Sequence, residues 1–421
     1  MKTGTKGWLK EYLSVRQERA LDDFVEARRR STHPEHSLYR VIQPTGLMYG
    51  LSVSDEELLN HPEEQKDRLK ILLIESLISS SIVSYDKPLT TPTELEELIY
   101  VTLEKIGTFY NNIFPEVSTA TKTLLGRKKS AYEVAEQLID KRIEYTARFA
   151  DNFWSFFFHN SLLFLDVFIF GQWIHTNADR IVADFFRYER DELRFSVVKV
   201  IAAAAHANRE ISFEERRLYD LFIESAELSS ERRKETLKIF EEGFAVEDIN
   251  LPTEHSWILK KFFLEISILT IWADKKVEQD ELDFLKRFCH YLELSDEDLE
   301  SSMIAIEGFI LEHWAALERL QDKREYGYVS DQFVNRLARV AEKNKTKLTK
   351  YLRENAELNE LTRKARGQEL NAEEKERLRN SLVTMLKTLP AFSLIPLPQS
   401  FLSLPVLLKV LPRNLFVEGI K

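Results

Sequence analysis

Apolar side chains recur at helical spacing in the first part of the chain. Between residues 63 and 83, leucine and isoleucine return every three or four positions, which is the period of one helix face. The stretch Thr91-Pro92-Thr93-Glu94 supplies an N-cap, a proline at the first helical position and a carboxylate at the third. Ser130 and Glu133 repeat the capping pattern. We therefore predict helices that begin near residues 63, 92 and 131.

The most apolar stretch of this region is residues 153–174, which are long enough to cross a bilayer. The stretch also contains His159, Asn160, Asp166 and Gln172, and a carboxylate in the middle of a span is costly in hydrocarbon. Two interpretations follow: a helix buried in the protein core, or a segment that contacts a membrane. In one variant of the first, the segment packs against the apolar tail of the chain.

That tail, residues 389–411, carries a single charge, Lys409. Only 14 of its 23 residues are apolar. Prolines interrupt it at spacings of eight, seven and seven residues: Pro390, Pro398, Pro405 and Pro412. A proline inside a helix removes a backbone hydrogen bond and clashes with the preceding turn, so one straight helix is excluded. The tail is predicted either to associate with a membrane or to fold onto the protein's own core.

The central region contains an internal duplication. A shift of 66 residues superimposes 207–215 on 273–281 and 228–231 on 294–297 without a gap. Each unit is predicted to contain an apolar helix, a short acidic turn, an amphipathic helix and a capped third helix. Two such units packed face to face would form one helical domain over residues 191–310.

A long amphipathic helix is predicted from about Asp331 to Ala365, with Gly367 as its stop. Asn371 and Glu374 then form a capping box for a further helix that runs into the tail. Part of the long helix carries a basic face, formed by Lys343, Lys345, Lys347, Lys350 and Arg353.

Composition agrees with an all-α fold, because 421 residues include only 12 Gly and 12 Pro while 30% are charged. The predicted organisation has four parts: an N-terminal helical region (1–190), the repeat domain (191–310), the long basic amphipathic helix or linker (311–370) and the proline-punctuated segment (371–421). The single cysteine, Cys289, excludes an intrachain disulfide and favours a reducing compartment. No apolar h-region follows Met1, so no secretory signal is predicted.

Charge is divided unevenly along the chain. Residues 336–421 contain 17 Lys and Arg against 9 Asp and Glu, whereas the first 335 residues contain 42 against 60. A basic C-terminal part indicates an anionic partner, either lipid headgroups or RNA. The alternative is a basic helix that is only solvated.

The repeat resembles the tellurite-resistance TerB family, an all-helical family whose acidic turns have been proposed to bind a divalent cation. The resemblance is carried by an apolar helix, Ala-Asp or Ala-Asn, two further residues, Ile or Val, and an acidic cluster. It implies a site for calcium or magnesium, which prefer oxygen ligands. The alternative is helix capping, by Ser212 with Glu215 and by Glu281 at the same position of the second repeat. The implied ligands are Asn208, Glu210, Glu214 and Glu215 in one repeat, and Asp274, Glu278, Asp280 and Glu281 in the other.

The C-terminal part resembles the LETM family, whose members are implicated in cation/proton exchange across an organelle membrane. Gly367-x-x-Leu370-Asn371 and Leu386-Lys387-x-Leu389-Pro390 carry the resemblance, and Pro398, Pro405, Lys409 and Pro412 continue it as the proline-punctuated membrane segment. The family has an acidic residue where this chain has Phe401, which favours docking or anchoring over transport. A TerB-like repeat followed by such a tail is similar to bacterial LETM-related biofilm-associated proteins.

Sequence motifs of enzymes are missing: the chain has no phosphate-binding glycine loop, no Gly-x-Ser-x-Gly elbow and no His-Glu-x-x-His. We therefore expect a non-enzymatic protein that associates with lipid on the cytoplasmic side of the inner membrane, or is cytoplasmic. Its expected setting is envelope or ion-stress physiology, including biofilm formation. One alternative is a cation/proton transporter, in which Asp166 or an oligomer supplies the missing membrane carboxylate. Another is a ribosome-binding module that uses the basic face. No DNA partner is expected, and the oligomeric state is left open.

Overall fold

The computed structural model describes residues 5–16, 35–36, 38–39, 65–85, 87, 89–123, 126–147, 161–176, 180–207, 211, 213–249, 251, 256–272, 277, 279–312, 314, 323–393, 395, 397–412 and 415. Within them the regular structure is helical, and an isolated bridge between Lys122 and Lys128 is the one β-type pairing. The predicted all-α fold is confirmed.

The chain divides into two compact units, Met1–Leu292 and Glu293–Lys421. The boundary between the two units falls inside the predicted repeat domain (191–310). The boundaries of the four predicted parts stay predictions. Each unit has a buried core of its own, built from the apolar faces of its helices.

In the first unit, residues 8–16 are helical. The helices α1 and α4 pack on each other, as do α2 and α3, and α5 and α8. The named helices of this unit are α1 (Gln65–Val83), α2 (Pro92–Ile113), α3 (Ala131–Ala147), α4 (Leu163–Trp173), α5 (Arg180–Ala205), α6 (Phe213–Ser225), α7 (Ser230–Glu242), α8 (Trp257–Ile271) and α9 (Gln279–Tyr291).

The second unit is built around α10, α11 and α14, with the tail packed on them. Its helices are α10 (Asp296–Glu312), α11 (Lys323–Lys343), α12 (Lys345–Glu354), α13 (Ala356–Gly367), α14 (Ala372–Leu386), α15 (Pro390–Ser393) and α16 (Leu404–Val410).

Three predicted helix starts are present with their hydrogen bonds. Thr91 and Glu94 form a complete capping box at α2, and Asn371 and Glu374 form one at α14. At α3 the Ser130 hydroxyl accepts from the backbone N–H of Glu133, whose carboxylate accepts from the Ser130 N–H. Each box satisfies backbone donors that the first helical turn leaves without a partner.

The 66-residue shift relates the positions of helices as well as the residue types. Helix α6 shifted by 66 gives the bounds of α9, and the start of α7 gives the start of α10. Glu227 and Glu293, also 66 residues apart, both have positive φ angles, of 53° and 55°. A non-glycine residue seldom adopts this conformation, so its recurrence at equivalent positions is independent support for the duplication. The resemblance to the TerB family stays a prediction.

The stretch predicted as one long helix from Asp331 to Ala365 is instead divided among α11, α12 and α13. The chain leaves helical geometry at Asn344 and again at Asn355, whose ψ is 100°. The Asn355 side chain accepts a hydrogen bond from the Leu358 N–H at 2.9 Å. Asn355 is therefore an N-cap, and asparagine is among the residues most favoured there.

Among the described residues, no helix has both the length and the apolar character needed to cross a membrane. Helix α4 has 11 residues, and the part of the predicted aromatic segment at 153–160 lies outside the described residues. Phe164, Ile169 and Phe170 of α4 are buried in the first unit.

Candidate functional site

The prolines of the tail lie at the starts of short helices. Pro390 is the first residue of α15, and Pro405 lies in the first turn of α16. Pro398 precedes a single 3-10 turn, Gln399–Leu402. A proline is tolerated in a first helical turn because the N–H it lacks would have no partner there. The tail is thus a series of separate turns, as the proline spacing predicted.

The apolar side chains of the tail contribute to the core of the second unit. Phe401 is only 5% exposed, and its ring lies 4.8 Å from that of Phe333 in an edge-on arrangement. Phe392 and Leu407 are each about 1% exposed. This chain therefore has a packed aromatic ring at the position where the LETM resemblance would have a carboxylate.

The five residues predicted as a docking segment are divided between core and surface. Pro398 and Pro412 are buried. Pro390, Pro405 and Lys409 are exposed. Pro398 lies so close to α10 that a Cβ on Gly308 would be 3.2 Å from the proline Cγ and Cδ. Only part of this segment is thus available to an outside partner.

The predicted basic face lies at the end of α11 and along α12. On α12, Leu348 and Leu352 are buried, whereas Lys347, Lys350 and Arg353 are exposed. These three cations fall on the side of the helix opposite the two leucines, because successive residues are offset by about 100°.

The other contacts of these cations leave them at the surface. Lys343 Nζ is 3.3 Å from a Glu300 carboxylate oxygen, and Lys345 is half-buried. Lys347 Nζ donates to the Thr388 carbonyl at 2.7 Å. Lys350 Nζ is 3.8 Å from Glu354, a weak surface pair in which both side chains are mostly exposed. The basic face stays accessible.

A groove of about 400 Å³ lies between α13, α14 and α16. Its buried side includes Leu370 and Leu378, which are 6% and 4% exposed. Leu404 and Leu408 of the tail line another side, and Leu408 is 47% exposed. The remaining lining residues are Thr362, Ala365, Gln368, Glu369 and Lys375. The groove is therefore open on the side of Leu408 and apolar on the side of Leu370 and Leu378.

Of the predicted metal ligands, Asn208, Glu210, Asp274 and Glu278 lie outside the described residues. Glu215 and Glu281, equivalent in the two repeats, are fully buried, whereas Asp280 is exposed. Glu214 belongs to α6. Among the described residues no group of three or more His, Cys, Asp or Glu side chains is arranged to hold a metal ion. The predicted divalent-cation site stays a prediction.

Asp280 instead lines a cavity of about 410 Å³ in the first unit, together with Asp283, Arg287, Glu247 and His206. The His206 ring nitrogen Nε2 is 2.6 Å from the Phe240 carbonyl. Arg287 is the cation that faces the carboxylates in this lining. The cavity is polar, and its charges are of both signs.

Asp166, the carboxylate of the aromatic segment, is bound by an arginine. The Arg142 Nε donates to Asp166 Oδ2 at 2.7 Å and Nη2 to Oδ1 at 3.1 Å, and both side chains are 1% exposed. The Tyr110 hydroxyl donates to the same carboxylate at 3.1 Å. Burial opposes charge on Arg142, but Asp166 and Glu227 raise its pKa above the ordinary value. Asp166 is therefore a structural ion-pair partner in the first unit.

Sequence reasoning did not find Arg142 or the groove, although Leu370 is part of the LETM-like motif. No sequence pattern distinguishes Arg142 as a buried residue, because it lies in a predicted helix with several other charged residues. The groove is formed by three helices that only the fold brings together. No protein-family model, no curated protein and no solved structure matches the chain.

Proposed function

We propose that this chain is a non-enzymatic protein that docks peripherally on an anionic membrane surface at the cytoplasmic face. The observation that carries the proposal is the basic face of α12, where Lys347, Lys350 and Arg353 project away from the buried leucines. The resemblance to LETM-related proteins supports the same role and implies a setting in envelope or ion-stress physiology, including biofilm formation.

The charge balance of the C-terminal part supports the proposal. Residues 336–421 hold eight more Lys and Arg than Asp and Glu, 17 against 9. Each Lys or Arg close to an anionic bilayer contributes about 1 kcal/mol of attraction. The three outward cations of α12 therefore supply about a 100-fold gain in partitioning to such a surface.

The test is vesicle co-sedimentation at low and moderate salt with the full chain. The variant Lys347→Gln/Lys350→Gln/Arg353→Gln is expected to bind phosphatidylglycerol vesicles about 100-fold more weakly. The matched control removes three exposed cations from α7, Arg233→Gln/Lys234→Gln/Lys238→Gln, and is expected to bind as the unchanged protein does. Equal loss in both variants, or no binding to anionic vesicles at all, contradicts the proposal.

A second candidate, a ribosome-binding module, draws on the same basic face, since RNA phosphates attract the same cations. Co-sedimentation with ribosomes that falls with salt and requires Lys347, Lys350 and Arg353 would favour it. The transporter alternative requires Asp166 or an oligomer to supply a membrane carboxylate. The bidentate contact with Arg142 leaves that carboxylate already neutralised, so the residue offers the transporter alternative no support.

A further inference from the structure

The groove between α13, α14 and α16 combines an apolar lining with an open side. Leu370 and Leu378 are buried, and Leu404 is half-buried. Leu408 exposes 47% of its surface although it belongs to the apolar tail. Burial of a leucine side chain is favourable, and the exposed half of Leu408 forgoes that contribution. A ligand that covers this side chain would recover part of that free energy.

The size of the groove selects among ligands. Its volume of about 400 Å³ falls within the range of about 300–1,000 Å³ that is common for small-molecule pockets. A helix with its side chains is about 10–12 Å across, so a partner helix could insert only single side chains. A flexible hydrocarbon chain can follow an open apolar groove, and each methylene that it buries adds to the affinity.

The charges around the groove favour an anionic headgroup. Residues 356–410, from the start of α13 to the end of α16, contain eight Lys and Arg against six Asp and Glu. Lys375 lines the groove, with its Nζ 3.5 Å from an oxygen of the exposed Glu369. Lys409 directly follows Leu408 and is exposed. An apolar groove beside surplus cations complements a ligand with a hydrocarbon chain and a negative head.

We propose that this groove accepts one acyl chain of an anionic phospholipid drawn from the bilayer surface, with the headgroup near Lys375 and Lys409. This inference rests on the proposed membrane docking and names the ligand that the second unit holds there. The basic face of α12 supplies long-range attraction, and the groove supplies the short-range contact that persists when salt screens the charges.

The experiment measures binding of the single-chain lipid lysophosphatidylglycerol, below its micelle concentration, to the full chain by calorimetry. Leu408→Asp puts a charge beside the acyl chain of the lipid and is expected to weaken binding at least tenfold. Leu408→Trp fills the groove without adding charge and is expected to weaken it as well. The control Leu237→Asp changes a leucine of α7 that is 39% exposed, and binding should be unchanged. Circular dichroism checks that each variant is folded.

Parallel assays with phosphatidylglycerol vesicles separate the two proposals. Failure of the unchanged protein to bind vesicles overturns membrane docking and the bilayer as the source of the ligand. A second outcome overturns the lipid-binding groove but leaves membrane docking standing. In it, Leu408→Asp and the unchanged protein bind vesicles equally well, and neither binds lysophosphatidylglycerol. Equal affinity for zwitterionic lysophosphatidylcholine overturns the selection for an anionic head, and binding of free laurate without lipid overturns the phospholipid as ligand.

Discussion

At the scale of single residues, Asp166 shows how a carboxylate is accommodated in a helix as apolar as α4. A buried charge is costly unless it is paired and hydrogen-bonded. Arg142 from α3 supplies two hydrogen bonds and Tyr110 from α2 supplies a third. Arg194 continues the network, with Nη1 at 2.6 Å from Glu227, which also lies 3.8 Å from Arg142. The network joins four successive helices of the first unit, α2 to α5.

We predict that Arg142→Met lowers the free energy of unfolding of the first unit by about 3–5 kcal/mol, because it leaves the Asp166 charge buried without its partner. The double variant Arg142→Met/Asp166→Leu should recover much of this loss, since both charges are then gone. Urea unfolding measures these differences. The control Arg379→Met removes a surface pair with Glu376 in α14 and should change stability by less than about 1 kcal/mol. A loss that the double variant does not reduce contradicts the prediction.

The cap of α3 predicts a pH dependence at Glu133. A hydrogen bond from Arg127 and the backbone N–H of Ser130 lower the pKa of this carboxyl to about 2. Because the folded pKa is depressed, the cap stabilises α3 fully above the unfolded value of about 4.3 and loses this effect as pH falls toward 2. NMR titration should find Glu133 ionised at pH 3.5, and Arg127→Gln should move its pKa upward. A normal titration in the unchanged protein contradicts the prediction.

At the scale of helices, the sequence predicted what depends on neighbours in the chain. The capping boxes at Thr91 and Asn371 could be predicted because each needs only four consecutive residues. The break at Asn355 had the same kind of signal, but the continuous apolar period through 331–365 concealed it. The groove could not be predicted, because Leu378 and Leu404 come together only through the packing of α14 on α16.

The contact of the tail with α10 can be tested through Gly308. A valine there brings Cβ to 3.2 Å from Pro398 and adds two methyl groups, an overpacking that typically costs about 1–3 kcal/mol. Gly308→Val should therefore loosen the tail, and hydrogen exchange of amides in residues 390–411 should accelerate. In the control Gly327→Ala the new Cβ meets nothing within 4 Å, and α11 should gain up to about 1 kcal/mol. Unchanged exchange in Gly308→Val would show that the contact between Gly308 and Pro398 is not needed to hold the tail in place.

At the scale of the whole molecule, the described parts of the two most apolar segments of the chain contribute to core. Residues of α4 are buried in the first unit, and Leu389, Phe392 and Phe401 are buried in the second. Deleting residues 388–421 would therefore remove part of the core of the second unit together with any docking function. Charge variants on α12 and the Leu408 variants change the surface alone, so they separate docking from folding.

The last prediction concerns the independence of the two units. Each of Met1–Leu292 and Glu293–Lys421 has its own core, and a domain with its own core unfolds as a cooperative unit. Hydrogen exchange in increasing urea should therefore resolve two transitions, which peptides assign to their units. Arg142→Met should lower the urea midpoint of the transition of the first unit and leave that of the second unit unchanged. Gly308→Val should lower only the midpoint of the second unit. Because each substitution acts within its own unit, the double variant should shift both transitions by the single-variant amounts. A single transition that both variants shift equally would mean that the whole chain folds as one cooperative unit.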